Sequence, residues 1–458
     1  MIPKPNIVIL DDNVEHLEIL AKSLRDLGYA ALQVLFKNGQ PQLANPLNSV
    51  RLLFLDIQLI TAVPAGVQTY DTVCAALEKV IAPDNEPYVL LTWSTFPDEH
   101  DSLMLHLNEN LDRDIPAPAV SGFLDKNQYL VGNGNLQSDV MKAARTIPQV
   151  AALLEWCEAG KIAAGEVMSS LLRLVPREER FTGRCCDSLG KLLAAVAREG
   201  AGENASNDLT AAMNEGFGPI LMDRLLHSTA ANRARMEQAW KSAIPDVKAS
   251  PSVDQEECRA LNAMVSVSTH DIGSVAAGSR GAVCSLTQPL ENPACFKKQF
   301  GNPKETVIWE YVRLLPGDKR TKTELSKTQK QKLKEDLLEN CNFRLVGLSA
   351  ACDHAWGKVP VKKMLLAVEV PASYLDNFGA ATHGAIYKTP IFRDPNSSQC
   401  SLQLIFNWRY HFTTADNLEG CDVVFRIREP LVSHMTTSYH IYGFRPGTPN
   451  YRSKIGST

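Results

Sequence analysis

The chain has 458 residues, 45% hydrophobic and 21% charged, with 27 Gly and 26 Pro, a globular profile that excludes collagen-like and wholly disordered classes. No stretch approaches the roughly 20 apolar residues of a membrane span, the first 20 residues carry acidic side chains where an export signal is basic and then apolar, and no C-x-x-C pair occurs. A cytoplasmic protein with reduced thiols and about three domains is therefore expected.

The net charge of −4 hides an asymmetry, because residues 1–135 hold 8 Lys and Arg against 17 Asp and Glu, and the remainder holds 39 against 34. Such a step marks a domain boundary better than it marks a nucleic-acid partner, which is not expected. The run NIVILDD ends in two aspartates at Asp12, and Leu17, Leu20, Leu24 and Leu27 follow at helical spacing up to Gly28. A strand thus feeds a helix. The alternation recurs: a strand at 31–36, the run VRLLFLDIQLI around Asp56, a helix over 69–82, the strand YVLLTWST, a helix over 98–111 and the strand SGFLDK. Five buried strands alternating with helices predict an α/β doubly wound, five-stranded parallel sheet over 1–135.

Residues 136–245 hold Ala, Leu and Met at helical spacing and predict an all-α region, with an exposed loop at 199–208 and a Pro- and Ser-rich linker at 245–254. From 255 to 458 strand-like segments return (FRLVGLSA, VKKMLLAVEV, QLIFNWRYHF, DVVFRIR), together with a Lys-rich helical stretch at 323–340 and a closing helix at 429–442. This predicts an α+β domain with a curved or barrel-like sheet. No fixed-period repeat is present.

Ligands of a doubly wound sheet collect at the carboxyl ends of its strands. Asp11, Asp12, Asp56, Thr92 and Lys126 all fall at such ends. Three carboxylates held together repel unless a cation sits among them, and a hard divalent ion with oxygen ligands, Mg²⁺, answers that need. A lysine and a hydroxyl beside them would balance the oxygens of a phosphoryl group, so the set describes an aspartyl-phosphate site.

In order, strand placement and residue type these positions resemble the receiver domain of two-component response regulators, over residues 1–135 alone. The resemblance implies that Asp56 is the phosphoacceptor, that Asp11 and Asp12 hold Mg²⁺ with Asp56 and the backbone carbonyl of Gln58, that Thr92 is the switch hydroxyl and that Lys126 pairs with the phosphoryl group. It also implies a sensor histidine kinase as donor, an effector protein as a further partner and a homodimer formed through the receiver. Leu59-Ile60, Trp93 and Asn127 depart from the family pattern. A receiver with large extensions that do not bind DNA is loosely similar to those of bacterial phage-defence systems of the Detocs type, which would place the chain in antiviral defence. A haloacid-dehalogenase-like phosphatase is a weaker match, since it needs a second Asp two residues after the nucleophile and Asn13 stands there.

Other signals are weaker. Cys352 and His354, with Cys284, could ligate Zn²⁺, and Cys341 and the His270-Asp271 pair lie in the same domain; unpaired spacing leaves buried thiols and turn residues as an equal reading. Seven Lys and Arg between 319 and 334 fit a solvated face better than a nucleic-acid groove. His227 is the sole candidate phosphotransfer histidine of the helical region, and a surface histidine near a helix end is the simpler reading. The output stays open between a signalling protein, a receiver-controlled effector with a metal- or nucleic-acid-binding domain, and a phosphate sink. No separate catalytic set is seen.

Overall fold

The computed structural model describes residues 5–60, 66–130, 135, 138–139, 147–180, 182–244, 253–270, 272–314, 326–349, 361–378, 384–397, 399–415, 418 and 420–443. The chain divides into two compact units, Met1–Ser169 with Leu221–Ser250, and Ser170–Ile220 with Pro251–Thr458. Among the described residues no helix is long and apolar enough to cross a membrane.

The first unit opens with β1 (Ile7–Asp11), α1 (Val14–Asp26), β2 (Leu32–Lys37), β3 (Gln40–Pro41), β4 (Leu52–Leu55), α2 (Val67–Val80), β5 (Val89–Ser94), α3 (Glu99–Asn110), β6 (Val120–Asp125) and α4 (Lys126–Leu130). The sheet order is β3-β2-β1-β4-β5-β6. Strands β2, β1, β4, β5 and β6 pair in parallel, while β3 pairs antiparallel with β2. The expected five-stranded sheet is therefore six-stranded. The extra strand follows from Asn38 and Gly39, both at positive φ, the Asn-Gly pair that closes a two-residue hairpin. At two residues it is too short to show any alternation.

Alternation along the longer strands sorts the core. Val8, Leu10, Leu53, Leu55 and Leu90 face a cluster completed by Val73 and Leu77 of α2 and Leu103 and Leu107 of α3. Ile9, Phe54, Val89, Leu91 and Trp93 face the other side, with Leu17, Leu20 and Leu24 of α1 and Tyr129 of α4. Helices cover both faces, as the continuous apolar strands demand.

The helical region holds α5 (Pro148–Leu174), α6 (Arg184–Ala201), α7 (Leu209–Leu226) and α8 (Ala230–Ala243). Val150 and Leu154 of α5 pack against the α1 side of the first sheet. Gln149 Nε2 donates to the Ala243 carbonyl at 3.0 Å, and Arg235 Nε pairs with Glu155 at 2.7 Å. The loop expected at 199–208 is instead the end of α6 and a 3-10 turn, Gly202–Asn207, with Ala201 and Ala205 buried beside Ala197 and Ala212. Small residues produce this: a Cβ on Gly200 would stand 2.5 Å from the Ala212 carbonyl oxygen. Composition that reads as a loop here serves a close helix crossing.

In the second unit follow α9 (Gln255–Ser266), β7 (Val267–Ser268), β8 (Ala282–Cys284), α10 (Gln288–Glu291), α11 (Pro293–Phe300), α12 (Lys304–Leu314), α13 (Lys327–Asn340), β9 (Asn342–Gly347), β10 (Lys362–Pro371), β11 (Ile386–Lys388), β12 (Phe392–Arg393), β13 (Ser401–Thr414), β14 (Val423–Ile427) and α14 (Glu429–Gly443). The eight strands form one sheet, β11-β13-β10-β9-β8-β14-β7, with β12 also on β13. Every pairing is antiparallel, and a register shift between Leu365 and Ala367 bends β10. One face packs on Phe296, Phe300, Val307, Ile308, Tyr311 and Leu337 of α11 to α13. The opposite face packs on Val432 and Met435 of α14. Asp254 opens α9 and Ser326 opens α13, each through a capping box. Gly347 and Gly281 admit close backbone passages, for a Cβ on Gly347 would collide with the Ser279 carbonyl and one on Gly281 would stand 2.5 Å from the Ile427 carbonyl.

Candidate metal site

Three strand ends of the first sheet deliver carboxyl groups to one place. Asp11 is the last residue of β1, and Asp56 directly follows β4, its amide donating to the Leu10 carbonyl at 2.9 Å. Asp12 begins the turn into α1. There Asp11 Oδ1 accepts from the Asn13 amide, and Asn13 Oδ1 accepts from the Glu15 amide, both at 2.8 Å. The N-cap that starts α1 thus also orients Asp11. Ligand oxygens of Asp11, Asp12 and Asp56 all lie within 4.8 Å of one another.

Lys126 begins α4 at the end of β6. Its Nζ stands 2.8 Å from Asp11 Oδ2 and 2.8 Å from Asp56 Oδ2, but only the Asp56 contact has hydrogen-bond geometry. Asp11 Oδ2 is therefore buried without a hydrogen bond. Three carboxyl groups meet one ammonium, the donors are all hard oxygens, and Asp11 Oδ2 has a charge beside it but no hydrogen bond, so the cluster could hold a metal ion.

Burial pushes the Asp56 carboxyl up to about 6 despite the Lys126 ammonium beside it, and Asp11 adds to the rise. The Gln58 amide donates to Asp56 Oδ1 at 3.2 Å. That contact fixes the backbone next to Asp56, where the resemblance implies a carbonyl ligand.

Thr92 does not join the cluster. Asp11, Asp56 and Lys126 continue the alternation of Ile9, Phe54 and Leu124, the side that also takes Trp93, whereas Thr92 takes the side of Leu90. Its hydroxyl lies 2.7 Å from His100 Nδ1 on α3 and donates to the Gly122 carbonyl at 3.2 Å. In register Leu55 stands opposite Thr92, so Asp56 is followed across the ladder by Trp93. Burial lowers the His100 pKa.

Sequence reasoning missed His16, whose Nδ1 is 3.6 Å from Asp11 Oδ1, and His100. A histidine five residues beyond Asp11, in the first turn of a helix, was a signal open to reading. His100 has no such signal.

Of the zinc candidates, Cys352 and His354 lie outside the described residues, as does Asp271. Cys284 is fully buried in β8, with the Cys421 thiol as hydrogen-bonding neighbour; Cys421 in turn donates to the Ser285 carbonyl at 2.9 Å. Cys341 is buried at the end of α13 and its thiol is pushed up to about 12 by that burial. The acidic triad is the one cluster of three metal-ligating side chains found among the described residues. His227 is exposed beyond the end of α7 and faces Asp223 at 3.9 Å. Of the basic run, residues 319–325 lie outside the described residues, and Lys334 sits over the Trp309 ring at 5.3 Å.

Comparison with protein-family models, with curated proteins and with solved structures finds no match. The N-terminal parallel sheet and its acidic cluster are compatible with a receiver-like fold.

Proposed function

We propose that the first unit is a phosphoacceptor receiver and that Asp56 takes a phosphoryl group from a sensor histidine kinase. The observation that carries this reading is the single place at the sheet's carboxyl edge where Asp11, Asp12 and Asp56 converge and Lys126 bridges two of them. The Asp56 carboxylate attacks phosphorus, the O–P bond forms as the P–N bond to the donor imidazole breaks, and the imidazole leaves with its electron pair. Mg²⁺, held by Asp11, Asp12, Asp56 and the Gln58 carbonyl, would supply positive charge to the phosphoryl oxygens when bound. Lys126, released from Asp56 Oδ2, turns its ammonium to the same oxygens, and water is largely excluded because Asp11, Asp56 and Lys126 are buried.

Phosphorylation replaces the Asp56 carboxylate by an acyl phosphate of charge about −1.5 to −2 with three acceptor oxygens at this edge. We take its outcome to be altered interactions of the helical and C-terminal regions with an effector or with a second copy through the receiver. The place in phage defence rests on layout alone. The test is intact mass after incubation with Mg²⁺ and acetyl phosphate, for the wild type and for Asp56→Asn. A phosphoryl increment that needs both Mg²⁺ and Asp56 supports the reading. An increment retained by Asp56→Asn removes it.

A further inference from the structure

Resting on that reading, we infer that Trp93, and not Thr92, is the residue that reads the state of Asp56, and that the reading passes through Tyr129 to the helix α5. Five observations converge. Trp93 holds the ladder position beside Asp56 and shares its side of the sheet, while the Thr92 hydroxyl is engaged with His100 and Gly122 on the other. The Trp93 indole is 1% exposed, and its Nε1 has no hydrogen-bond partner, a donor that a well-packed core ordinarily satisfies.

The Trp93 ring packs on Tyr129 with centroids 4.9 Å apart, and the Tyr129 hydroxyl donates to Asp139 at 2.6 Å. Tyr129 and Lys126 belong to the same five-residue helix α4. The side chain that must exchange Asp56 for a phosphoryl group therefore starts the helix whose other end stacks on Trp93. Val150 and Leu154 of α5 pack on the same cluster as Trp93 and Tyr129. Repositioning of Lys126 thus acts, through a short helix tethered at both ends, on the apolar cluster that α5 also lines. Trp93 and Tyr129 are positioning residues in this account and touch no reacting atom.

Coupling is an energy between two sites, so the experiment measures it at both. The full-length wild type, Trp93→Phe, Tyr129→Phe and Thr92→Val are incubated with Mg²⁺ with and without acetyl phosphate. Intact mass reports phosphoryl uptake, and amide hydrogen exchange reports the segment 148–174. The expected result is uptake in all four, with exchange in that segment changed on the order of tenfold in the wild type and in Thr92→Val, and the change lost in Trp93→Phe and Tyr129→Phe.

Tyr129→Phe keeps the ring stack and loses only the bond to Asp139 that anchors the far end of α4, so a response lost in this variant is lost with the anchor and not through a packing defect. An exchange response intact in both aromatic variants, or abolished by Thr92→Val alone, overturns the inference while leaving the receiver reading standing. No uptake by the wild type overturns the receiver reading itself and this inference with it.

Discussion

Replacing Asp56 by Asn should stabilise the metal-free first unit at alkaline pH, contrary to the usual effect of mutating a site residue. Folded Asp56 titrates at about 6, against 3.8 for an ordinary carboxyl, chiefly because it is buried. Between those values the folded chain keeps a proton that the unfolded chain has lost. Stability from this group is therefore complete below the unfolded pKa and is lost as pH rises through about 6. A gap of about two units amounts to about 3 kcal/mol at about pH 8. Asn carries no charge and escapes that penalty, and its amide oxygen can still accept from the Lys126 ammonium, whose opposing pull is already contained in the value of about 6. The expectation in chelator is a stabilisation of up to about 3 kcal/mol at about pH 8. The contrast between two pH values isolates the charge: the variant should gain about 2 kcal/mol relative to wild type between about pH 4.5 and about pH 8. The assay is urea unfolding followed by hydrogen exchange of the β1, β4 and β5 amides, which isolates this unit in a chain not expected to unfold in one step. Equal destabilisation at both pH values would show that burial does not penalise the Asp56 charge, and the reasoning would fail.

Four further outcomes are expected. Lys126→Met leaves Asp11 and Asp56 facing each other without the ammonium that lies 2.8 Å from both, and should cost about 3–5 kcal/mol at neutral pH in chelator, part of it restored by millimolar Mg²⁺; thermal melts with and without the ion check both. Mg²⁺ should raise the melting temperature of the wild type at about pH 8 by mass action, and Asp11→Asn should abolish most of that rise. In the second unit Arg344 makes a two-point contact with buried Glu369 at 2.8 and 2.9 Å, so Arg344→Ala should destabilise that unit by about 3–5 kcal/mol, whereas Gly347→Ala should do so by about 1–3 kcal/mol or more through backbone collision; urea midpoints for that unit test each.

Local chemistry was legible wherever a single segment carries it. The apolar runs ending at Asp11, Asp56 and Lys126 announce strands whose ends share an edge, because period and punctuation are properties of neighbouring residues, and the long strands β9, β10, β13 and β14 were readable for the same reason. Strands β3, β7, β8, β11 and β12 have two or three residues each, too few to show a period. Their existence is decided by the longer strands they pair with. The glycines and alanines of 199–208 read as a loop because small residues serve both turns and close helix crossings, and only the presence of α7 opposite selects between them.

The candidate site divides in the same way. Residue types and strand ends already brought Asp11, Asp12, Asp56 and Lys126 together on paper. Which face Thr92 takes depends on the registers of β4 with β5 and β5 with β6, and a shift of one residue exchanges Thr92 for Trp93 at the edge of the cluster. Register is a relation between segments far apart in the chain. Side-chain identity and local period are therefore written in the sequence of this protein, while the partner each side chain meets across the sheet is settled only when the strands pair.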